Sequence, residues 1–101
     1  MIVMTKFLIR YAMKPEFADE NATLLSAYLD ELALVRPTNM AYAVNRLGDG
    51  TSFFHLVESV AGAAPFAHLP NYRRRADWAK GKYQDEPVLV EYSAIGAHRD
   101  A

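Results

Sequence analysis

The chain has 101 residues with 11 Lys and Arg against 12 Asp and Glu, a formal net charge of −1, and it is 51% hydrophobic and 23% charged. That balance is ordinary for a globular domain over residues 1–101 and excludes a disordered or fibrous chain, and a charge near zero gives no field to draw the protein to nucleic acid or an anionic membrane. Cysteine is absent, which removes disulfides, thiolate metal sites and a cysteine nucleophile together.

Met1-Ile2-Val3-Met4-Thr5-Lys6 carries neither a basic n-region nor a small-residue cleavage site, and no apolar run approaches the ~20 residues that span a bilayer. The cytoplasm is the expected compartment. A first strand is predicted over 5–13, with Phe7, Ile9 and Tyr11 on one face and Lys6, Leu8 and Arg10 on the other. Pro15 suits the first turn of a helix, and Glu16, Asp19 and Glu20 stand well against its N-terminal dipole. Ala18, Ala22, Leu25, Leu29 and Leu32 then form an apolar stripe that ends before Arg36-Pro37.

A second strand is predicted over 39–47. Gly48-Asp49-Gly50 supplies the positive-φ positions of a tight hairpin into a third strand over 51–59. Residues 61–69 are a small-residue connection with an irregular helical turn interrupted at Pro65. Pro70 opens a second helix whose buried stripe is Tyr72, Ala76, Ala79 and Tyr83, and Pro87 starts a last strand over 88–96, with 98–101 a loose tail.

Strand-helix-strand, hairpin, helix-strand is the split βαβ plan: an α+β, ferredoxin-like βαββαβ domain with a four-stranded antiparallel sheet. Both faces of the sheet read as apolar. Phe53 and Val57 oppose Phe54 and Leu56, and Met40, Tyr42 and Val44 oppose Ala41, Ala43 and Leu47. Two helices cover one face, so the other is expected to meet a second copy in a two-fold homodimer. An RNA-recognition domain shares this order, but Thr51-Ser52-Phe53-Phe54 lacks the basic lead residue and glycines of that signature.

Three stretches carry a family resemblance: Arg10-Tyr11-Ala12-Met13-Lys14-Pro15, Thr51-Ser52-Phe53-Phe54-His55-Leu56-Val57-Glu58, and His68-Leu69-Pro70-Asn71-Tyr72. Together they resemble the antibiotic biosynthesis monooxygenase-like domains of the dimeric α+β barrel superfamily, over nearly the whole chain. The resemblance implies a homodimeric barrel with a pocket between each sheet and its own helices. In some members that pocket oxidises phenolic or quinol-like polyketides with O₂ and no metal or flavin. The haem-degrading pattern is absent, because Trp78 is not followed by a histidine about ten residues on, and the family's usual tryptophan after the third strand is replaced by small residues around Val60.

Beside that resemblance, His68 and His55 are the candidate catalytic residues, and Trp78, Tyr72 and Asn71 the candidate substrate-binding ones. His55, mid-strand between Phe53 and Val57, reads either as a pocket base or as a satisfied core histidine. His68, ahead of the second helix, faces the mouth of any pocket below it or bonds local backbone. Trp78 lies ~120° round the helix from Tyr72 by the 3.6-residue period, flanked by Asn71, Arg75 and Lys82, where it floors a pocket or packs on the first helix. Glu58, Glu91 and Arg10 read as edge ion-pairing residues, and Arg73-Arg74-Arg75 with Lys80 and Lys82 as a solvated surface. Three histidines without acids at ligand spacing make no metal site, and no phosphate loop or nucleophile elbow appears.

Two functions follow. One is a cofactor-independent monooxygenase acting on a small aromatic or polyketide-like molecule, with no metal, flavin or haem. The other is a non-catalytic homodimer that binds a small apolar or aromatic ligand or serves as a structural protein.

Overall fold

A computed structural model of the chain describes residues 4–60 and 67–100. Its elements are β1 (Thr5–Met13), a 3₁₀ turn (Pro15–Phe17), α1 (Ala18–Val35), β2 (Met40–Arg46), β3 (Ser52–Ser59), α2 (Pro70–Ala79) and β4 (Tyr83–Tyr92). The strands form one antiparallel sheet in the order β2-β3-β1-β4, the ferredoxin-like α+β arrangement expected. Most of the 61–69 connection, including Pro65, lies outside the described residues.

Register decides what faces the helices. Phe7, Ile9 and Tyr11 on β1 stand opposite Val57, His55 and Phe53 on β3, while Tyr42 and Val44 on β2 stand opposite Val57 and His55. These residues share one face. Phe53, His55, Val57 and Ser59 are buried there, whereas Phe54, Leu56 and Glu58 between them are half-buried on the other. Helix α1 closes the first face with Ala18, Asn21, Leu25, Tyr28 and Leu32. The stripe is thus rotated from the one expected: Ala22 and Leu29 sit at its margin, and Asn21 and Tyr28 at its centre.

Local chemistry fixes the ends. Helix α1 stops at Arg36, in the left-handed region at φ 51°, whose N–H returns to the Leu32 carbonyl at 2.8 Å. In the hairpin, Asp49 Oδ1 accepts from the N–H groups of Thr51 and Ser52, and Oδ2 from the Ser52 hydroxyl. Those bonds hold its carboxyl below the usual range. Arg46 donates to Asp19 at 2.8 Å and so ties the hairpin strand to the start of α1.

One boundary departs from expectation. Tyr83 is not the last residue of the α2 stripe, because Gly81, at φ 77°, turns the chain and Lys82 N–H closes onto the Ala79 carbonyl. Tyr83 opens β4, which therefore starts before 88 and ends at Tyr92 rather than 96. Pro87 lies inside this strand, where it is tolerated because β4 is an edge strand and the β1 pairing shifts register between Arg10 and Ala12.

Candidate functional site

The helix-side face brings a histidine between two tyrosines. Tyr11 and Tyr42 lie diagonally from His55 on the two neighbouring strands, within reach of aromatic side chains. Tyr11 Oη is 2.8 Å from His55 Nε2, and Tyr42 Oη is 2.6 Å from His55 Nδ1. Asn21, on the centre of α1, donates from Nδ2 to Tyr11 Oη at 3.1 Å. Arg75 on α2 donates from Nε to Asn21 Oδ1 at 2.9 Å. A guanidinium only donates, so this last bond fixes which way the Asn21 amide points. The Arg75 guanidinium carbon stands 4.8 Å over the Tyr11 ring and 5.7 Å from that of Tyr83.

Burial sets the charge of these groups. His55 is 3% exposed, and desolvation, helped by the Arg75 charge, pushes its pKa down to about 3. The imidazole is therefore neutral at neutral pH, with one nitrogen donating and the other accepting, and the two hydroxyls match that pair. Burial raises the phenols of Tyr11, Tyr28, Tyr42 and Tyr72 above their usual range, so all four stay protonated. Beside this network lies a cavity of about 170 Å³, bordered by His55, Tyr28, Tyr42, Tyr72, Arg75 and Ile9 among others. Its lining contains no acidic residue, and Arg75 Nη2 is buried without a hydrogen-bond partner among the described residues.

The residues singled out from sequence fall into two groups. His55 and Tyr72 border this cavity. His68 is exposed in the turn before α2. Trp78 stands edge-on to Phe17 at 6.2 Å, with Lys82 Nζ 5.2 Å over its ring, on the flank of α2 that meets the 3₁₀ turn. Asn71 ties α2 to α1, its N–H donating to Glu31 and its Nδ2 to the Ala27 carbonyl. His68 and Trp78 do not join His55 at this cavity, because α2 turns Tyr72, Arg75 and Ala76 toward the sheet instead.

Arg75 also corrects the reading of the basic run as solvated. Arg73 and Arg74 are exposed, but Arg75 is half-buried over Tyr11. Glu58 does pair with Lys6 directly across β1 and β3, at 3.9 Å. A larger hollow of about 440 Å³ lies on the opposite face of the sheet, bordered by Leu8, Arg10, Phe54, Glu86 and Val88. It contains no buried acid-base network. Among the described residues no group of three or more His, Asp or Glu is placed to hold a metal, and no helix is long and apolar enough to cross a membrane.

No family model and no curated protein sequence matches this chain. Solved structures do match it. An antibiotic biosynthesis monooxygenase is 16% identical at a TM-score of 0.69, covering 93% of this chain and 100% of that one. A protein of unknown function from Nitrosomonas europaea is 18% identical at a TM-score of 0.70, covering 99% and 97%. A variant of SnoaB, a cofactor-independent oxygenase from Streptomyces nogalater, is 15% identical at a TM-score of 0.63, covering 96% and 98%. At such identities the likeness establishes the fold of the single chain, the ferredoxin-like α+β plan expected from the order of elements.

Proposed function

We propose that this chain is a cofactor-independent oxygenase for a small aromatic molecule, acting as a homodimer with one cavity in each subunit. The observation that carries the reading is the neutral His55 imidazole, held between two tyrosine hydroxyls at the wall of a cavity whose lining has one charge, that of Arg75. Oxygenation without a cofactor needs an electron-rich ring anion in a dry site. O₂ adds to a ring carbon bearing hydrogen, and the hydroperoxide loses water to leave a quinone carbonyl. One phenol and one O₂ thus give one quinone and one water.

Burial of the network supports the dry site, and the Arg75 cation lies where it would offset a ring anion. His55 alone is a poor base for this step. Taking a proton from a phenol of pKa about 10 onto a group near 3 costs roughly 9–10 kcal/mol, at 1.36 kcal/mol per unit. In this reading the substrate enters as its anion, having left its proton with water, and His55 holds the Tyr11 and Tyr42 hydroxyls in place while the cation stabilises the charge.

An oxygen electrode tests the reading with electron-rich phenols and quinols. Arg75→Met is expected to lower O₂ uptake by ~10²–10³-fold, the usual cost of losing one charge-stabilising donor, and His68→Ala to leave it unchanged; loss of uptake in His68→Ala would return that residue to the site. The second reading, a non-catalytic ligand-binding homodimer, is favoured by His68 and Trp78 standing away from the cavity. Ligand binding with no O₂ uptake would decide for it.

A further inference from the structure

Arg75 is held as a receptor is held. Its Nε is committed to Asn21 and its plane lies over the Tyr11 ring, so the guanidinium fork cannot swing freely. No ion pair among the described residues includes it. Nη2 is buried and makes no hydrogen bond among the described residues. A buried donor on a charged group, left without a partner, is costly and calls for a reason. An oxyanion supplies one, since the guanidinium fork matches a carboxylate or a single anionic oxygen.

The size of the cavity narrows what carries that oxyanion. About 150 Å³ suffices to hold benzene, and drug-sized ligands occupy roughly 300–1,000 Å³. The 170 Å³ here is room for one ring and a small substituent, and fused multi-ring molecules exceed it. The walls suit a ring: Tyr28 stands edge-on to Tyr42 at 5.1 Å and to Tyr72 at 5.5 Å.

We infer that the cavity under α2 is a receptor for a single-ring aromatic oxyanion, a phenolate or an arene carboxylate, with its anionic oxygen on the Arg75 guanidinium and its ring among Tyr28, Tyr42 and Tyr72. This builds on the cavity being the substrate site proposed above, and is independent of whether oxygen chemistry occurs there.

Calorimetric titration of the wild-type protein with benzoate and with benzamide, its neutral isostere, reads the charge preference. Benzoate is expected to bind roughly ten- to hundredfold tighter, the usual worth of a charge-assisted hydrogen bond. Anthracene-2-carboxylate is expected to bind more weakly than benzoate. 4-Nitrophenol is expected to be held as its coloured anion at a pH where the free compound is neutral, and comparison with benzoate shows whether phenolate or carboxylate is preferred. Arg75→Met should bring benzoate down to the level of benzamide, and Arg75→Lys should fall between. If Arg75→Met does not fold, the wild-type isostere pair and the lysine variant still decide. Equal affinity for benzoate and benzamide, or tighter binding of the three-ring acid, overturns the inference. Charge selectivity without O₂ uptake keeps it and removes the oxygenase; O₂ uptake without charge selectivity does the reverse.

Discussion

His55 couples the site to the stability of the fold. Its pKa is about 3 in the native chain, against an ordinary value near 6.5. Between those values the unfolded chain takes a proton that the native chain refuses, so stability rises with pH across that window. The contribution is complete above about 6.5 and is lost as pH falls toward 3, at up to ~1.4 kcal/mol per unit. Urea unfolding at about pH 7 and about pH 4.5 should therefore show a larger loss in the wild type than in His55→Gln; equal losses would mean that His55 titrates normally. Tyr11→Phe leaves Asn21 Nδ2 and His55 Nε2 without the hydroxyl between them, at an expected cost of about 1–3 kcal/mol, read from the shift in the same unfolding curves. His55 was legible in the sequence because a histidine between Phe53 and Val57 must be buried. Its partners were not. Tyr11 and Tyr42 read as apolar members of their strands, and only the strand register brings their hydroxyls to one imidazole. Arg75 was hidden in Arg73-Arg74-Arg75, because the rotation of α2 on the sheet decides which of three arginines turns inward.

At the scale of elements, two residues in the left-handed region give opposite expectations. Arg36 caps α1 at φ 51° and is exposed. A side chain there costs about 1–2 kcal/mol, and glycine adds about 0.5–1 kcal/mol of unfolded-state entropy. Arg36→Gly is therefore expected to stabilise by roughly 0.5–1 kcal/mol, seen as a rise of several degrees in Tm. Gly81 stands at φ 77° with open space among the described residues where a methyl group would project, so Gly81→Ala meets no clash and only the backbone conformation is strained. It should destabilise by about 1 kcal/mol, and no change in Tm would place that strain elsewhere. Gly81 also explains what the sequence left unread in β4. Tyr83 continues the helical spacing of Tyr72, Ala76 and Ala79, and the one signal against it was the glycine two residues earlier. The first strand, by contrast, was legible at both ends because its β-rich run from Thr5 to Met13 is closed by Lys14-Pro15.

On the scale of the whole molecule, both helices lie on one face of the sheet. The radius of gyration is 14.3 Å, against about 13 Å for a compact chain of this length. Leu8, Leu56 and Phe54 are half-buried on the face away from the helices, and on the same face of β4 Val88 and Val90 are 47% and 45% exposed. An exposed apolar patch of this kind is what a second copy would cover, and the expected homodimer should bury at least ~1,200 Å² in total. Val90 pairs with Leu8 across β1 and β4 on that face, so Val90→Glu would bury an unpaired charge from each subunit in the expected interface. Sedimentation equilibrium should find the wild type dimeric at micromolar concentration and Val90→Glu monomeric. The cavity draws its described lining from one subunit and lies on the opposite face of the sheet, so the monomeric variant should still prefer benzoate to benzamide. A wild-type monomer under those conditions would overturn the pairing, and loss of the preference in a folded Val90→Glu monomer would mean that the partner subunit shapes the cavity after all.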